Sequence, residues 1–232
     1  MKLSLIIPCY NEAANLPLLL ERCSSLAKHK NIEVILVDNG STDSSPEVLQ
    51  ALLPLYPHCR SIRLPINQGY GFGILSGLRC AHGDILAWTH ADMQTDPNDV
   101  LAGVTQFNFH GQDIYVKGRR IKRPLTDAIF TIGMSIFETL LLQTRLWDIN
   151  AQPNIFTRKF FESWVNPPHD FSLDLYAYFL ARHQDIPIYR FPVEFRKRAH
   201  GSSHWNINWI AKIRFIRRTI KFSFELKKRL SR

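Results

Sequence analysis

The sequence is poor in the features that mark several common classes of protein. Only four of its 232 residues are cysteine, and no two of them have the Cys-X-X-Cys spacing of a zinc site or a redox motif. The amino terminus has no signal-peptide pattern of charged, apolar and small residues, because strand-like sequence begins at Leu3. These absences argue against a zinc site and a disulfide framework, and we expect a reducing, cytoplasmic location.

Long apolar runs are also scarce. The most apolar stretch, residues 128–142, contains Glu138 and falls short of the roughly 20 apolar residues that a membrane-spanning helix needs. We therefore interpret it as a buried or interfacial helix.

Internal repeats and low-complexity linkers are missing as well, which favours a single main domain. We place this domain at residues 1–204, with halves at 1–110 and 111–204, and expect a C-terminal helix over 205–232. Acidic residues are nearly absent from this last segment, which holds nine Lys and Arg residues against one acid, Glu225. Since the net charge of the whole chain is +9, residues 1–204 are close to neutral.

The C-terminal segment combines its positive charge with apolar side chains at helical spacing, which predicts a basic amphipathic helix. Such a helix can lie on an anionic membrane surface, or it can dock on the body of the protein with its basic face in water. We expect no nucleic-acid partner, because aromatic residues are not interleaved with the cations on an exposed sheet. The apolar positions are Trp209, Ile210, Ile213, Ile216, Ile220 and Phe224.

Short runs of Leu, Ile and Val recur in the first half of the chain, each followed by a polar turn and a helical pattern. This alternation predicts an α/β fold with a mostly parallel sheet covered by helices. The runs cover residues 3–7, 33–37, 61–64 and 85–89. Helices are expected to start after Asn11, at Ser45 as an N-cap followed by Pro46, and at the Asp96–Pro97 pair.

The alternation is weaker in the second half of the chain. We predict strands over residues 114–118 and 154–157, an apolar helix from Leu125 and a helix over 173–183.

Ligands of open α/β sheets bind beyond the carboxyl ends of the strands, so the polar residues after each run are the candidates for a site. After the fourth run, His90, Asp92 and Gln94 alternate, and alternate side chains share a face in extended backbone. Asp92 and Gln94 offer oxygen ligands to a divalent cation, and His90 offers a nitrogen, which Mn²⁺ accepts better than Mg²⁺. A polar strand end that caps the next helix explains the same residues.

Four motifs in this order make the pattern more specific. They are residues 7–12 (IPCYNE), 37–43 (VDNGSTD), 67–73 (NQGYGFG) and 90–94 (HADMQ). Together they resemble the family 2 glycosyltransferases of the GT-A fold, in the branch of dolichol-phosphate mannosyltransferase and its bacterial polyprenyl-phosphate relatives. The resemblance implies a GT-A fold and sugar transfer from a nucleotide donor. It also makes residues 1–110 the nucleotide-sugar half and 111–204 the acceptor half.

The resemblance implies a set of donor-binding residues. Asp38 matches an acid that holds the base ring, and a carboxylate accepts from a ring N–H of uracil or guanine, which cytosine lacks. An Asx-turn is the alternative role for Asp38. The Gly69 loop borders the nucleotide in the family, although a tight turn into a helix explains its glycines equally well. The implied donor-binding residues are Pro8, Tyr10, Glu12, Asp38, Gly69 and His90.

The most important departure from the family pattern is His90, because relatives carry Asp at this position. The exchange removes a carboxylate from the implied metal site, so affinity for Mn²⁺ or Mg²⁺ depends on Asp92, Gln94 and the donor diphosphate. A nucleotide-sugar-binding subunit without catalytic activity is therefore an alternative to an enzyme.

Two acceptors are compatible with the sequence. A lipid phosphate is already an anion and needs only cations to position it. The resemblance implies that Arg119, Arg120 and Arg198, together with Ser203, serve this role. A glycan hydroxyl would need a general base, for which Asp170 and Asp174 are the nearest candidates. The resemblance implies that Asp148 and Gln152 lie in the region that borders the acceptor, although an ordinary turn ending at Pro153 explains them about as well.

The combined prediction is an inverting, metal-assisted transfer from a UDP- or GDP-sugar, most consistent with a polyprenyl phosphate at the inner face of a membrane. Asp92, Arg119 and Arg198 are the predicted catalytic residues. The sugar, the base of the donor and the oligomeric state are left open.

Overall fold

A computed structural model describes residues 1–122, 125–201 and 209–230. Its centre is a seven-stranded sheet in the order β3-β2-β1-β4-β6-β5-β7. The strands are β1 (Leu3–Cys9), β2 (Ile32–Asn39), β3 (Cys59–Leu64), β4 (Ile85–Trp88), β5 (Tyr115–Ile121), β6 (Asn154–Thr157) and β7 (Ile188–Glu194).

The sheet is parallel except at β6, which runs antiparallel to both of its neighbours, β4 and β5. All the parallel strands therefore end at the same edge. The central strands β1, β2 and β4 are buried on both faces, which explains why they read in the sequence as continuous apolar runs.

Eight helices within the described residues surround the sheet. They are α1 (Leu16–Cys23), α2 (Ser45–Leu52), α3 (Tyr70–Cys80), α4 (Asp99–His110), α5 (Leu125–Leu142), α6 (Arg158–Glu162), α7 (Ser172–His183) and α8 (Trp209–Leu230). Short 3-10 turns follow α1 and α2.

Two apolar layers form the core, one on each face of the sheet. Side chains of α1, α2 and α4 pack on one face, and those of α3 and α7 pack on the other. Alternation along β1 divides its side chains between the layers, since Leu5 and Ile7 join the first and Ile6 the second. Phe222 and Leu226 attach α8 to the second layer, so the C-terminal helix is packed against the domain.

The fold class, the strands in both halves and the helices from Leu125 and over 173–183 are confirmed. Three predicted helix starts are wrong by one to a few residues. The first helix begins at Leu16 after a turn, Ser44 is the N-cap where Ser45 was expected, and the fourth helix begins at Asp99, after Asp96 and Pro97. The predicted boundary at 204 lies within residues 202–208, outside the described residues.

None of the described helices combines the length and the hydropathy needed to cross a bilayer.

Candidate active site

The loops after β1 and β2 are joined to each other by hydrogen bonds at the carboxyl edge of the sheet. Asn11 adopts a left-handed conformation (φ 56°), which asparagine tolerates better than most residues. Its Oδ1 accepts from the backbone N–H groups of Thr42 (2.8 Å) and Asp43 (3.3 Å). The backbone N–H of Glu12 donates to Ser45 Oγ at 3.0 Å. The predicted nucleotide turn, with Tyr10 and Glu12, therefore has a conformation held by the second motif.

Asp38 ends β2 and is almost completely buried. Its Oδ1 accepts from the backbone N–H of Ser41 at 2.9 Å, so the Asx-type turn considered as an alternative is present. Its Oδ2 accepts no hydrogen bond from the described residues but lies 3.4 Å from Nε of the exposed Arg63. This oxygen keeps acceptor capacity for a ligand N–H, and the base-binding role of Asp38 stays a prediction.

The third motif packs its backbone directly against residues 168–171, which precede α7. Gly69 has a φ of 106°, and a Cβ atom there would lie 2.4 Å from the carbonyl oxygen of His169. The aromatic ring of the next residue, Tyr70, stacks on Phe171 with centroids 4.5 Å apart and on His90 with centroids 5.4 Å apart. The glycines thus allow a close backbone approach that brings Tyr70 beside the fourth motif.

The fourth motif is a turn, and our prediction that residues 90–94 are extended is wrong. The strand ends at Trp88, and Met93 has a φ of 60°, in the left-handed region. The backbone N–H of Gln94 folds back to donate to Asp92 Oδ1 at 3.0 Å. This local bond replaces the alternation of an extended strand, so period two does not place His90, Asp92 and Gln94 on one face.

The segment after β7 closes over this turn. The backbone N–H of Arg196 donates to the Gln94 carbonyl at 2.8 Å, and Gln94 Nε2 donates to the Arg196 carbonyl at 3.3 Å. The guanidinium of Arg198 then reaches Asp92, with 2.8 Å between its terminal nitrogen and Oδ2. The structure thereby brings together Asp92, Gln94 and Arg198, while Ser203 lies outside the described residues.

Glu12 belongs to the same electrostatic group. Burial raises the pKa of Glu12, the neighbouring Asp92 carboxylate raises it further, and Asn15 and Arg198 oppose the rise. Asn15 Nδ2 also donates to the carbonyl of His200 at 3.3 Å, which ties the Arg198 segment to the start of α1. Two carboxylates and one guanidinium therefore share this corner of the sheet.

These side chains suit a weakly held divalent cation. Within the described part of the chain, no three His, Cys, Asp or Glu side chains are grouped as a metal cluster. Asp92 supplies a carboxylate, while Gln94 and His90 offer an amide oxygen and an imidazole. A hard cation prefers six or more oxygens, so phosphate oxygens would have to complete its shell. The donor set fits a cation that binds together with a diphosphate.

The two adjacent arginines on β5 have different surroundings. Arg119 is exposed, and no hydrogen bond or ion pair engages it among the described residues. Arg120 donates through Nε to Asp148 Oδ1 at 2.8 Å, and Arg190 lies 3.7 Å from the other oxygen of Asp148. Although burial opposes it, this pairing lowers the pKa of Asp148. Arg120 therefore already has a carboxylate partner, whereas Arg119 is accessible to a phosphate.

Sequence reasoning missed a buried polar network beneath the site. Lys117 is fully buried and donates to Asn154 Oδ1 at 2.6 Å and to the Ala151 carbonyl at 2.8 Å. Asp174 accepts from Gln152 at 2.8 Å and from Asn154 at 3.0 Å. The available signal was a lysine after the apolar start of β5 and an asparagine directly before the apolar residues of β6. Gln152 also donates to the hydroxyl of Tyr70 at 3.2 Å, which links the network to the ring stacked on His90.

Both candidates for a general base are engaged within the chain. Asp174 is 1% exposed and lies in the network just described. Asp170 pairs with Arg218 of α8 at 2.9 Å and accepts from the backbone N–H of Ser172 at 2.8 Å. Each carboxylate therefore already has partners inside the chain.

Comparison with known proteins agrees with this geometry. The model of the family "Glycosyl transferase family 2" matches residues 4–166, more than half of the chain. The chain is 40% identical over 102 residues to an undecaprenyl-phosphate 4-deoxy-4-formamido-L-arabinose transferase of Photorhabdus laumondii, covering 43% of this chain and 31% of that protein. It is 34% identical over 122 residues to a dolichol-phosphate mannosyltransferase of Pyrococcus furiosus, covering 53% and 34%. The matches thus span about a third of the length of these curated relatives.

Solved structures with low sequence identity share the fold. Glucosyl-3-phosphoglycerate synthase from Mycobacterium tuberculosis, solved with Mn²⁺, UDP and glucosyl-3-phosphoglycerate, matches with a TM-score of 0.72 at 17% identity, over 97% of this chain and 79% of that one. A mannosyltransferase from Pyrobaculum calidifontis, solved with GDP-mannose and Mn²⁺, matches with a TM-score of 0.63 at 20% identity, over 86% and 58%. The fold is GT-A-like, and the chain belongs to glycosyl transferase family 2.

Proposed function

We propose that the protein is a glycosyltransferase that moves a sugar from a nucleotide-diphospho-sugar to a polyprenyl phosphate. The observation that carries the proposal is that Arg198 and the motif at the end of β4 meet at the buried carboxylate of Asp92. The polyprenyl-phosphate and dolichol-phosphate activities named for the relatives support the choice of acceptor.

The donor is held by the first-half motifs in this proposal. Asp38 Oδ2, which accepts no hydrogen bond from the described residues, accepts a ring N–H of uracil or guanine. The turn at Tyr10 and Glu12 borders the ribose and diphosphate. Asp92 and Gln94, with His90 as a further candidate ligand, would hold Mn²⁺ or Mg²⁺. When bound, such a cation neutralises charge that develops on the departing diphosphate. Arg198 supplies a further positive charge on the same side.

The acceptor is positioned by Arg119 and attacks as an anion, which inverts the configuration at the sugar carbon without a general base. This choice is favoured because the carboxylates that a hydroxyl acceptor would require, Asp170 and Asp174, have partners inside the chain. An exposed arginine on a strand end is suited to two-pronged contact with a phosphate.

Contact with the surface of an anionic membrane would bring the protein to a lipid acceptor. The exposed face of α8 carries Ile213 and Phe224 next to Arg217 and Lys221. On α5, a stripe of aliphatic side chains is also exposed to solvent, at Ile129, Ile132, Ile136 and Leu140. Apolar side chains beside cations are the composition of helices that lie in the headgroup region.

The catalytic proposal is tested by replacing Asp92 with Ala. UDP- and GDP-sugars are assayed with polyprenyl phosphate and, separately, with simple glycans. We expect the variant to lose transfer to polyprenyl phosphate while its circular dichroism is unchanged. The matched control is Asp113→Ala, because Asp113 is an exposed acid next to the opposite end of β5. Unchanged transfer by Asp92→Ala, or donor binding by the wild type without any transfer, would contradict the proposal.

Membrane contact is tested by sedimentation with vesicles of neutral lipid and of neutral lipid mixed with anionic lipid. We expect binding only to the anionic vesicles, with about a fivefold loss for each cation removed, because a Lys or Arg near such a surface contributes ~1 kcal/mol. Lys221→Gln is the variant, and Lys159→Gln on α6 is the control. Equal binding to both vesicle types would refute this part of the proposal.

A further inference from the structure

Both oxygens of Asp92 are occupied by groups of the chain itself. Oδ1 accepts from the backbone N–H of Gln94 at 3.0 Å, and Oδ2 lies 2.8 Å from the guanidinium of Arg198. The Asp92 side chain is 7% exposed and that of Arg198 is 26% exposed, so water screens the pair only in part. A cation that approaches Asp92 therefore meets a carboxylate that already has a counter-ion.

The backbone around Arg198 is anchored independently of this ion pair. Arg196 is paired with Gln94 through two hydrogen bonds, and the carbonyl of His200 accepts from Asn15. These contacts lie two residues before and two residues after Arg198. The guanidinium can consequently leave Asp92 by a change of side-chain rotamer, while the segment stays over the site.

The charges at this corner determine when such a change is favourable. Without a ligand, Arg198 is the counter-ion of Asp92, and Glu12 is the second acid nearby. A divalent cation on Asp92 would stand next to the guanidinium, and the two positive groups would repel each other. A diphosphate brings enough negative charge to receive both positive groups, which removes the competition for Asp92.

We propose that the Arg198 guanidinium competes with the divalent cation for Asp92. When the donor binds, Arg198 leaves Asp92 and pairs with the diphosphate, so that cation binding depends on nucleotide binding. This inference rests on the proposed function, and it concerns the order of binding rather than the reaction. Arg198 is here a positioning residue for Asp92. The exchange would keep Mn²⁺ off the site until a donor is present.

The test is a titration with Mn²⁺ followed by the electron paramagnetic resonance signal of the free ion, with no sugar and no acceptor present. In the absence of nucleotide we expect Arg198→Gln to bind Mn²⁺ about tenfold more tightly than the wild type, within the usual 5- to 150-fold range of coupling between two sites. Arg198→Lys keeps the charge without the fork of the guanidinium, and its affinity should lie between the two. UDP or GDP should raise the affinity of the wild type for Mn²⁺ more than that of Arg198→Gln.

The matched control is Arg196→Gln, because Arg196 pairs with Glu194 at 3.1 Å instead of with Asp92. Its affinity for Mn²⁺ without nucleotide should equal that of the wild type. If Arg198→Gln and Arg198→Lys both bind Mn²⁺ no more tightly than the wild type, the exchange is refuted. Calorimetry with UDP and GDP on the wild type decides the donor part of the proposed function separately, since the comparison without nucleotide does not depend on it.

Discussion

The junction of α5 and α8 allows a quantitative prediction about pH. Glu138 on α5 is fully buried, its Oε1 accepts from Ser223 Oγ on α8 at 2.7 Å, and its Oε2 accepts no hydrogen bond from the described residues. Burial raises the pKa of Glu138 from 4.5 to about 7. The folded protein therefore holds a proton on this carboxyl at pH values where the unfolded chain has lost it.

The sign and the size of the effect follow from this difference. Because the pKa is higher in the folded state, the stabilising contribution of Glu138 is fully present below pH 4.5 and is lost as the pH rises through about 7. Each pH unit between the two values corresponds to ~1.4 kcal/mol, which gives a decrease of about 3 kcal/mol at most. Replacing Glu138 by Gln removes the titration and keeps an oxygen that can accept from Ser223.

We expect Glu138→Gln to match the wild type near pH 5 and to exceed its free energy of unfolding by about 2 to 3 kcal/mol at pH 8. Urea unfolding of both proteins at half-unit steps between pH 5 and 8 measures the difference. Glu225→Gln is the control, since it makes the same exchange at a half-exposed position on α8, the helix that carries Ser223. A constant difference between wild type and Glu138→Gln across this range would refute the reasoning.

Two further substitutions have expected outcomes. Gly69→Ala should destabilise the fold by more than about 1 kcal/mol and weaken UDP or GDP binding in calorimetry, because Gly69 has a left-handed backbone and a Cβ there would meet the His169 carbonyl. Gly111→Ala is the control. Gly111 has a φ of 84° with open space around it, so this substitution should cost only the strain of that φ. Burial lowers the pKa of Lys117 from 10.5 to about 7, so its stabilising contribution is full above pH 10.5 and lost as the pH falls through 7. Lys117→Met should abolish the rise in stability between pH 7 and 9 in urea unfolding, at a cost of ~1 to 3 kcal/mol for the Ala151 carbonyl left without its lysine donor. An unchanged pH dependence would contradict this account.

The first half of the fold could be predicted because three of its four strands, β1, β2 and β4, are buried on both faces. A continuous apolar run such as that of β2 is typical of a parallel strand that is covered on both faces. The last strand, β7, was missed. It lies at the edge of the sheet, is only partly buried and contains Pro192, and proline is tolerated on edge strands because one side needs no ladder hydrogen bonds. The proline argues against a central strand, and for this reason the edge strand β7 was not predicted.

The sequence indicated that Asp92, Gln94 and Arg198 belong to one region, but it did not indicate their geometry. The strand ends predicted where polar side chains lie close together. The resemblance to the family indicated Arg198, which lies near the other end of the domain. The turn at Met93 could not be read from the sequence, since methionine has no particular preference for a positive φ. It depends on contacts with Arg196, which lies more than 100 residues away in the chain.

The ion pairs in the structure narrow the assignment of the acceptor phosphate. Arg119 and Arg120 are adjacent in the sequence, and composition alone makes them equivalent. They point to opposite sides of β5, where Arg120 meets Asp148, whereas Arg119 follows Lys117 on the other side. Freeing Arg120 for a phosphate would leave Asp148, which is 4% exposed, with one arginine partner fewer, and breaking such a buried pair costs ~3 to 5 kcal/mol. Binding through Arg119 breaks no ion pair within the described residues, so the proposed acceptor phosphate belongs at Arg119.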